Sequence, residues 1–299
     1  MTEPAAGTRP VLVVGATGLL GAPVAHALRD EGSPVRLLVR DPDAARRRLG
    51  DGFEYVAGSV TDPAAVDRAV AGCDAVHVSL AAARREELEA VEHGGTAAVA
   101  AAAARHGLRR ISYLTGSLVS EDYGRPIAEH RAKRAAEAAI KACGVPFTFF
   151  RPTYFTDTLP RHVQGRVAVL FGRARRLLHP VTAGDYARMV ARALATPLAE
   201  GRELYVHGPE PMTLSEALRL YCATLPRRTP VVRAPLGAMA ALDRLALGGR
   251  LAPALEVMAL LERLGERGDP AAADALLGAP TTTVREWCEQ HPARAGEAR

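Results

Sequence analysis

A glycine-rich turn between an apolar strand and an amphipathic helix does most to limit the folds open to this chain. Val11 to Val14 is a short apolar run stopped by Gly15, and it reads as a buried strand. Leu19, Leu20, Val24 and Leu28 then recur at helical spacing up to Gly32, and Val35 to Val39 is a second buried strand. The unit is β-α-β, with the turn Gly15-Ala16-Thr17-Gly18-Leu19-Leu20-Gly21 at its first corner. In such a turn one glycine makes the tight bend, one lets a pyrophosphate approach the backbone, and one lets the helix pack on the strand. The free amides and dipole of the helix start favour phosphate, and Pro23 falls near the first turn, where its missing N–H costs little. A glycine triplet alone is only a turn. Flanked by strand, helix and strand, Gly15, Thr17, Gly18, Leu19, Leu20 and Gly21 read as a dinucleotide loop.

The second strand ends on Arg40. An acidic residue there binds the adenine ribose hydroxyl of NAD, whereas an arginine accommodates the 2′-phosphate of NADP. Asp41 follows at once and offers a carboxylate to a ribose, and Arg40 could also be one more surface arginine. On balance the pair favours NADP(H) over NAD(H).

The alternation continues. Strands are expected over 53–57, 75–80, 110–115 and 147–150, with helices from Pro63, over 96–106 and over 127–142. Strands alternating with helices predict an α/β fold, a doubly wound parallel sheet with a small, mainly helical C-terminal part. The core is expected over residues 8–152 and the substrate-binding part over 153–292, with a helix at 184–196 packing back on the core and a frayed tail at 293–299. Helices are also expected near 185–194, 214–225, 236–247 and 253–264.

The 299 residues suffice for a sizeable core, and no stretch is long and apolar enough to span a membrane. The opening MTEPAAGTRP has neither the basic start nor the apolar segment of a signal peptide, which points to the cytoplasm. The four cysteines are far apart and fit no metal spacing, so no metal is expected. Net charge is +5, but the arginines are scattered and read as a solvated surface, with no nucleic acid as partner. Only Lys133 and Lys141 among the 38 basic residues are lysines. In a chain that nearly always chooses arginine, a lysine is a candidate for needing an amine. Lys141 sits at a helix end; Lys133 lies inside the long helix.

Taken together, "VVGATGLLG", "RLLVRDP", "GSVTDPAAV", "ISYLTGS", "KRAAEAAIKACGVPFTFFRPTYF" and "AGDYARMVARAL" resemble the short-chain dehydrogenase/reductases, in their atypical, extended, NmrA-like branch. The resemblance spans roughly residues 10 to 210 and implies a Rossmann core with one dinucleotide. It places Ser59 and Val60 beside adenine, where serine replaces the usual aspartate, and Ser79, Leu80 and Ala81 along the cofactor. Thr115, Gly116 and Ser117 match the strand end that usually carries the catalytic serine. Pro152, Thr153, Tyr154 and Phe155 match the segment bordering the nicotinamide. Lys133 matches the lysine that holds the nicotinamide ribose. The family's proton-donating tyrosine stands four residues earlier, and here that position is Glu129.

Other donors are open. His130 adjoins the site or faces solvent, and Tyr154 either donates or only packs. Thr115 and Ser117 offer hydroxyls to a carbonyl oxygen or cap the turn. Tyr123 reads as a structural turn residue, Asp185 as a helix cap, and Trp287 as core. The function this implies is an NADPH-dependent reductase of a ketone, quinone or enone, acting on a small molecule as a monomer or homodimer. A quinone suits the missing tyrosine, because its reduced oxygens need little help from an acid. A non-catalytic NADP(H) sensor is the alternative, and a sugar-nucleotide epimerase or dehydratase a third, disfavoured by the missing tyrosine.

Overall fold

The computed structural model describes residues 9–82, 84–119, 123–124 and 126–291. Residue 8 and the tail expected to fray lie outside the described residues. Seven parallel strands form the main sheet: β1 (Val11–Val14), β2 (Val35–Val39), β3 (Glu54–Ala57), β4 (Ala75–Val78), β5 (Arg110–Leu114), β6 (Phe147–Pro152) and β7 (Arg202–Val206). Their order is β3-β2-β1-β4-β5-β6-β7, a doubly wound sheet whose strand order reverses between β1 and β4. In such sheets ligands bind beyond the carboxyl ends of the strands at that switch point. The first β-α-β unit has the expected strands, and β7 is one strand more than the sequence pattern predicts.

The central strands feed two cores in alternation. Val11 and Val13 pack with helices α1 (Gly21–Asp30) and α6 (Ala183–Ala195), while Leu12 and Val14 pack with α3 (Pro63–Val70), α4 (Thr96–Arg105) and α5 (Ala128–Ala142). That period of two fixes the register, since a one-residue slip would exchange the faces. Helix α6 and β7 join this sheet although they follow residue 152. A third core, holding Trp287 as expected, gathers α7 (Leu214–Ala223), α9 (Ala252–Leu264) and α11 (Val284–Gln290) around a small sheet at 163–171 and 231–234.

One expected cap is corrected. Thr182, not Asp185, caps α6, its hydroxyl accepting the Asp185 N–H at 3.1 Å. The Asp185 carboxylate instead accepts the backbone N–H groups of Thr281 and Thr282 at 3.2 and 2.9 Å, which ties the C-terminal segment down.

Candidate active site

The turn after β1 shows why its glycines differ. Gly15 has φ +88°, and a Cβ there would lie 2.1 Å from the Ser79 carbonyl oxygen at the end of β4. A Cβ on Gly21 would meet the Gly15 carbonyl oxygen at 2.3 Å, so this glycine lets α1 sit on the turn. Gly18 is exposed and has ordinary φ, and its Cβ would approach only the Gly15 oxygen, at 3.1 Å. Leu20 gives α1 no side-chain cap, and its first turn holds no acidic residue. The helix amides therefore face the loop without a competing anion, which suits a pyrophosphate. Arg40 is exposed, with no carboxylate partner among the described residues. Ser59 is half-buried and its hydroxyl is engaged with Thr61 at 2.8 Å, while Val60 packs against Gly95. These residues fit a dinucleotide along the switch point.

A cavity of about 550 Å³ opens beside this groove. Leu20, Leu80 and Ala81 reach it from the cofactor side, Thr115 and Ser117 from the end of β5, and Glu129, His130 and Lys133 from α5. Pro152, Thr153, Tyr154 and Phe155 follow β6, and Val257, Met258 and Leu261 of α9 close the far wall. The sequence-predicted catalytic candidates thus share one cavity, while Arg40, Ser59 and Val60 lie outside it.

Lys133 is buried, and its partner differs from the one the helix spacing suggests. Its Nζ donates to Glu92 Oε2 at 3.2 Å, and Glu92 is itself buried in a π-helical segment, Glu89–Gly95. The other Glu92 oxygen accepts the Ala82 N–H at 3.2 Å. Burial disfavours the ammonium, but Glu92, Tyr113 and Glu129 more than offset this and hold its pKa above the ordinary lysine range. Glu129 lies within electrostatic reach of Lys133 but is not its ion-pair partner. Burial pushes the Glu129 carboxyl above the usual carboxylate range, with Lys133 opposing and Glu92 adding to the shift.

The remaining candidates separate by where their hydrogens go. Thr115 donates to Glu137 Oε1 at 2.5 Å, within a buried network in which Arg151 also binds Glu137 and Glu203. Its hydroxyl hydrogen is committed to that network, which corrects the expectation that it serves a carbonyl. Ser117 accepts from Thr153 at 3.0 Å and keeps its own hydrogen to donate. Tyr154 meets His162 Nε2 at 3.0 Å, and His162 Nδ1 faces the Val169 carbonyl at 2.9 Å. The imidazole hydrogen belongs on Nδ1, so the phenol donates to Nε2, and burial raises the phenol to about 12. His130 is buried rather than solvent-facing, and burial first, then Lys133 and Arg134, lower it to about 4. It is neutral near pH 7, 2.6 Å from the Tyr123 hydroxyl, so Tyr123 is joined to the site rather than only to a turn.

A family profile described as NAD(P)H-binding matches residues 15–197. The chain is 35% identical, over 94% of its length and 97% of the relative's, to the (4-alkanoyl-5-oxo-2,5-dihydrofuran-3-yl)methyl phosphate reductase of Streptomyces griseus. The chain belongs to the NAD(P)H-binding family. A second relative, the NAD(P)H azoreductase of Xenophilus azovorans, is 26% identical over 96% of this chain and 100% of that one. Among solved structures, the NADPH-dependent quinone oxidoreductase of Escherichia coli, complexed with NADPH, superposes with a TM-score of 0.74 at 21% identity, covering 94% of this chain and 99% of that one. The chain is an NAD(P)H-dependent reductase. Among the described residues no helix is long and apolar enough to cross a membrane.

Glu92 is the residue that sequence reasoning missed. It lies 41 positions before Lys133, and only the fold brings the two together.

Proposed function

We propose that the chain reduces the conjugated double bond of a small unsaturated lactone or related enone, and prefers NADP(H) to NAD(H). The observation that carries this reading is Glu129, standing where the family's tyrosine is expected, in a cavity walled by apolar side chains. Reduction of an isolated ketone leaves a strongly basic alkoxide that calls for a positioned acid. Reduction of a conjugated carbonyl leaves a delocalised enolate, a weaker base that a carboxylic acid can protonate. When bound, NADPH supplies the hydride. Lys133 holds the nicotinamide ribose, Ser117 donates to the substrate carbonyl oxygen, and the apolar wall from α9 excludes water. Glu129, its pKa raised by burial, carries the proton. The relative from Streptomyces griseus, named for a furanone phosphate, supports a lactone of this kind. Arg161 borders the cavity, is exposed, and has no carboxylate partner among the described residues, which suits an anionic group on the substrate.

The test is turnover of NADPH with an unsaturated lactone phosphate, its dephosphorylated form, a quinone and an isolated ketone, each across pH. The expected order places the lactone phosphate first and the isolated ketone last. Because Glu129 acts protonated, the rate falls as pH rises through its raised pKa, and Glu129→Gln removes that limb. Tight NADPH binding with no turnover on any of the four would favour a sensor instead.

The cofactor preference has its own check. Arg40→Ala is expected to weaken NADPH binding about tenfold, roughly 1.4 kcal/mol, toward the lower end for a charged contact because the site is exposed. NADH affinity should stay unchanged in calorimetric titration. Equal affinities of the wild type for both nucleotides would contradict the preference.

A further inference from the structure

Outside the cavity, three metal-ligating side chains meet where the C-terminal segments dock on the edge of the sheet. His179 follows the short strand Leu177–Leu178, His207 follows β7, and Glu266 lies just past α9. Their ligand atoms all lie within 4.8 Å of one another. The two imidazoles stack with centroids 5.3 Å apart and planes 8° from parallel. Backbone fixes them in place, since Gly208 N–H donates to the His179 carbonyl at 2.9 Å. A Cβ at Gly208 would lie 1.8 Å from the Pro180 carbonyl oxygen, so that close approach requires glycine.

The hydrogen bonds leave an unresolved pair of acceptors. His179 Nδ1 is bonded to Glu266 Oε2, and Glu266 Oε1 accepts the His179 backbone N–H at 3.1 Å. His207 Nε2 faces the Arg267 carbonyl at 3.4 Å, which places the ring hydrogen there and leaves Nδ1 as a bare lone pair. That lone pair faces the Glu266 carboxylate oxygen at 3.9 Å, acceptor against acceptor. A cation between them resolves the conflict. A ring N–H held by a backbone carbonyl is also how ligating histidines are usually oriented. Side-chain exposure is 35% for His179, 10% for His207 and 9% for Glu266, so an ion can enter past His179 into a largely dry pocket. Asp274, within electrostatic reach of His207, keeps Oδ1 buried without a hydrogen-bond partner and adds negative charge nearby.

We propose that His179, His207 and Glu266 bind a divalent first-row transition cation, zinc foremost, which ties the C-terminal helices to the edge of the sheet. Two imidazole nitrogens and one carboxylate oxygen form a known three-ligand zinc set with an open fourth position. Ligand atoms of a tetrahedral zinc stand about 3.3 Å apart at bond lengths near 2.0–2.1 Å. Modest side-chain movement from the observed separations suffices. With the ion on Nδ1, the His179 ring hydrogen sits on Nε2.

The experiment uses untagged protein stripped by chelation, then titrated with Zn²⁺ or Co²⁺. One equivalent is expected to bind, to raise Tm, and with Co²⁺ to give visible d–d bands without the sulfur charge-transfer bands of cysteine ligation. Glu266→Gln and His179→Gln should each weaken binding at least about tenfold and remove the Tm rise, while NADPH affinity stays native and shows the fold intact. No bound metal and no Tm response in the wild type would overturn the site. So would equal binding by both variants, or cobalt bands of sulfur origin. Should either variant fail to bind NADPH, the wild-type cobalt spectrum and stoichiometry decide.

Discussion

Lys133→Met is expected to damage the protein twice, in stability and in cofactor use, and the two losses should be separable. The substitution keeps most of the stem packing but leaves Glu92 buried with no counter-charge. Removing one partner of a buried ion pair typically costs about 3–5 kcal/mol. Adding Glu92→Gln removes the orphaned charge while keeping an oxygen for the Ala82 N–H. The double variant should therefore regain most of the lost stability in denaturant unfolding. It should not regain function. The ribose would still lack an ammonium donor, a loss of about 1–3 kcal/mol in NADPH binding or turnover. A double variant restored in both would mean that Lys133 only neutralises Glu92. If Lys133→Met leaves NADPH affinity and reduction rate within about twofold of wild type, the ribose role is wrong.

The glycines of the first turn should fail in opposite ways. At Gly15 an alanine takes a left-handed conformation costing roughly 1–2 kcal/mol and drives its Cβ into the Ser79 backbone. The ends of β1 and β4 must then part. Gly15→Ala is expected to lower thermal stability and NADPH affinity together. Gly18 has neither constraint, and its side opens outward. Gly18→Val should leave circular dichroism native and Tm little changed, yet weaken NADPH at least about 100-fold, roughly 2.7 kcal/mol, because its methyls fill the space of the pyrophosphate. Unchanged affinity in a folded Gly18→Val protein would reduce the loop to a turn.

These contrasts mark what local sequence can carry. The β-α-β unit was legible because strand, turn and helix each depend on neighbours within a few residues, and Val11–Val14 and Val35–Val39 fall where the pattern predicts them. Lys133 was legible through its rarity and its place in the long helix. Its true partner was not, because Glu92 reaches it through a π-helical segment that no period of 3.6 announces. Glu129, one helical turn before Lys133, reaches it only electrostatically. Thr115 was misread for a related reason: Glu137, on the facing helix, takes its hydrogen. Strand β7 pairs with β6 across an irregular stretch of about 50 residues, and such pairings leave no trace in alternation. His179, His207 and Glu266 come from three separate segments, so cysteine and histidine spacing gave no hint of them.

The central claim is that this cavity reduces a conjugated carbonyl compound with hydride drawn from a nicotinamide held beside it. The most direct measurement follows deuterium from specifically labelled NADPH into an unsaturated lactone phosphate, with the product read by mass spectrometry and NMR. The expected result is one deuterium at the β-carbon per NADPH oxidised, from a single face of the nicotinamide, with incorporation about 5- to 150-fold slower in the Lys133→Met/Glu92→Gln protein. NADPH oxidation with no deuterium in the product would contradict it, as would label at the carbonyl carbon.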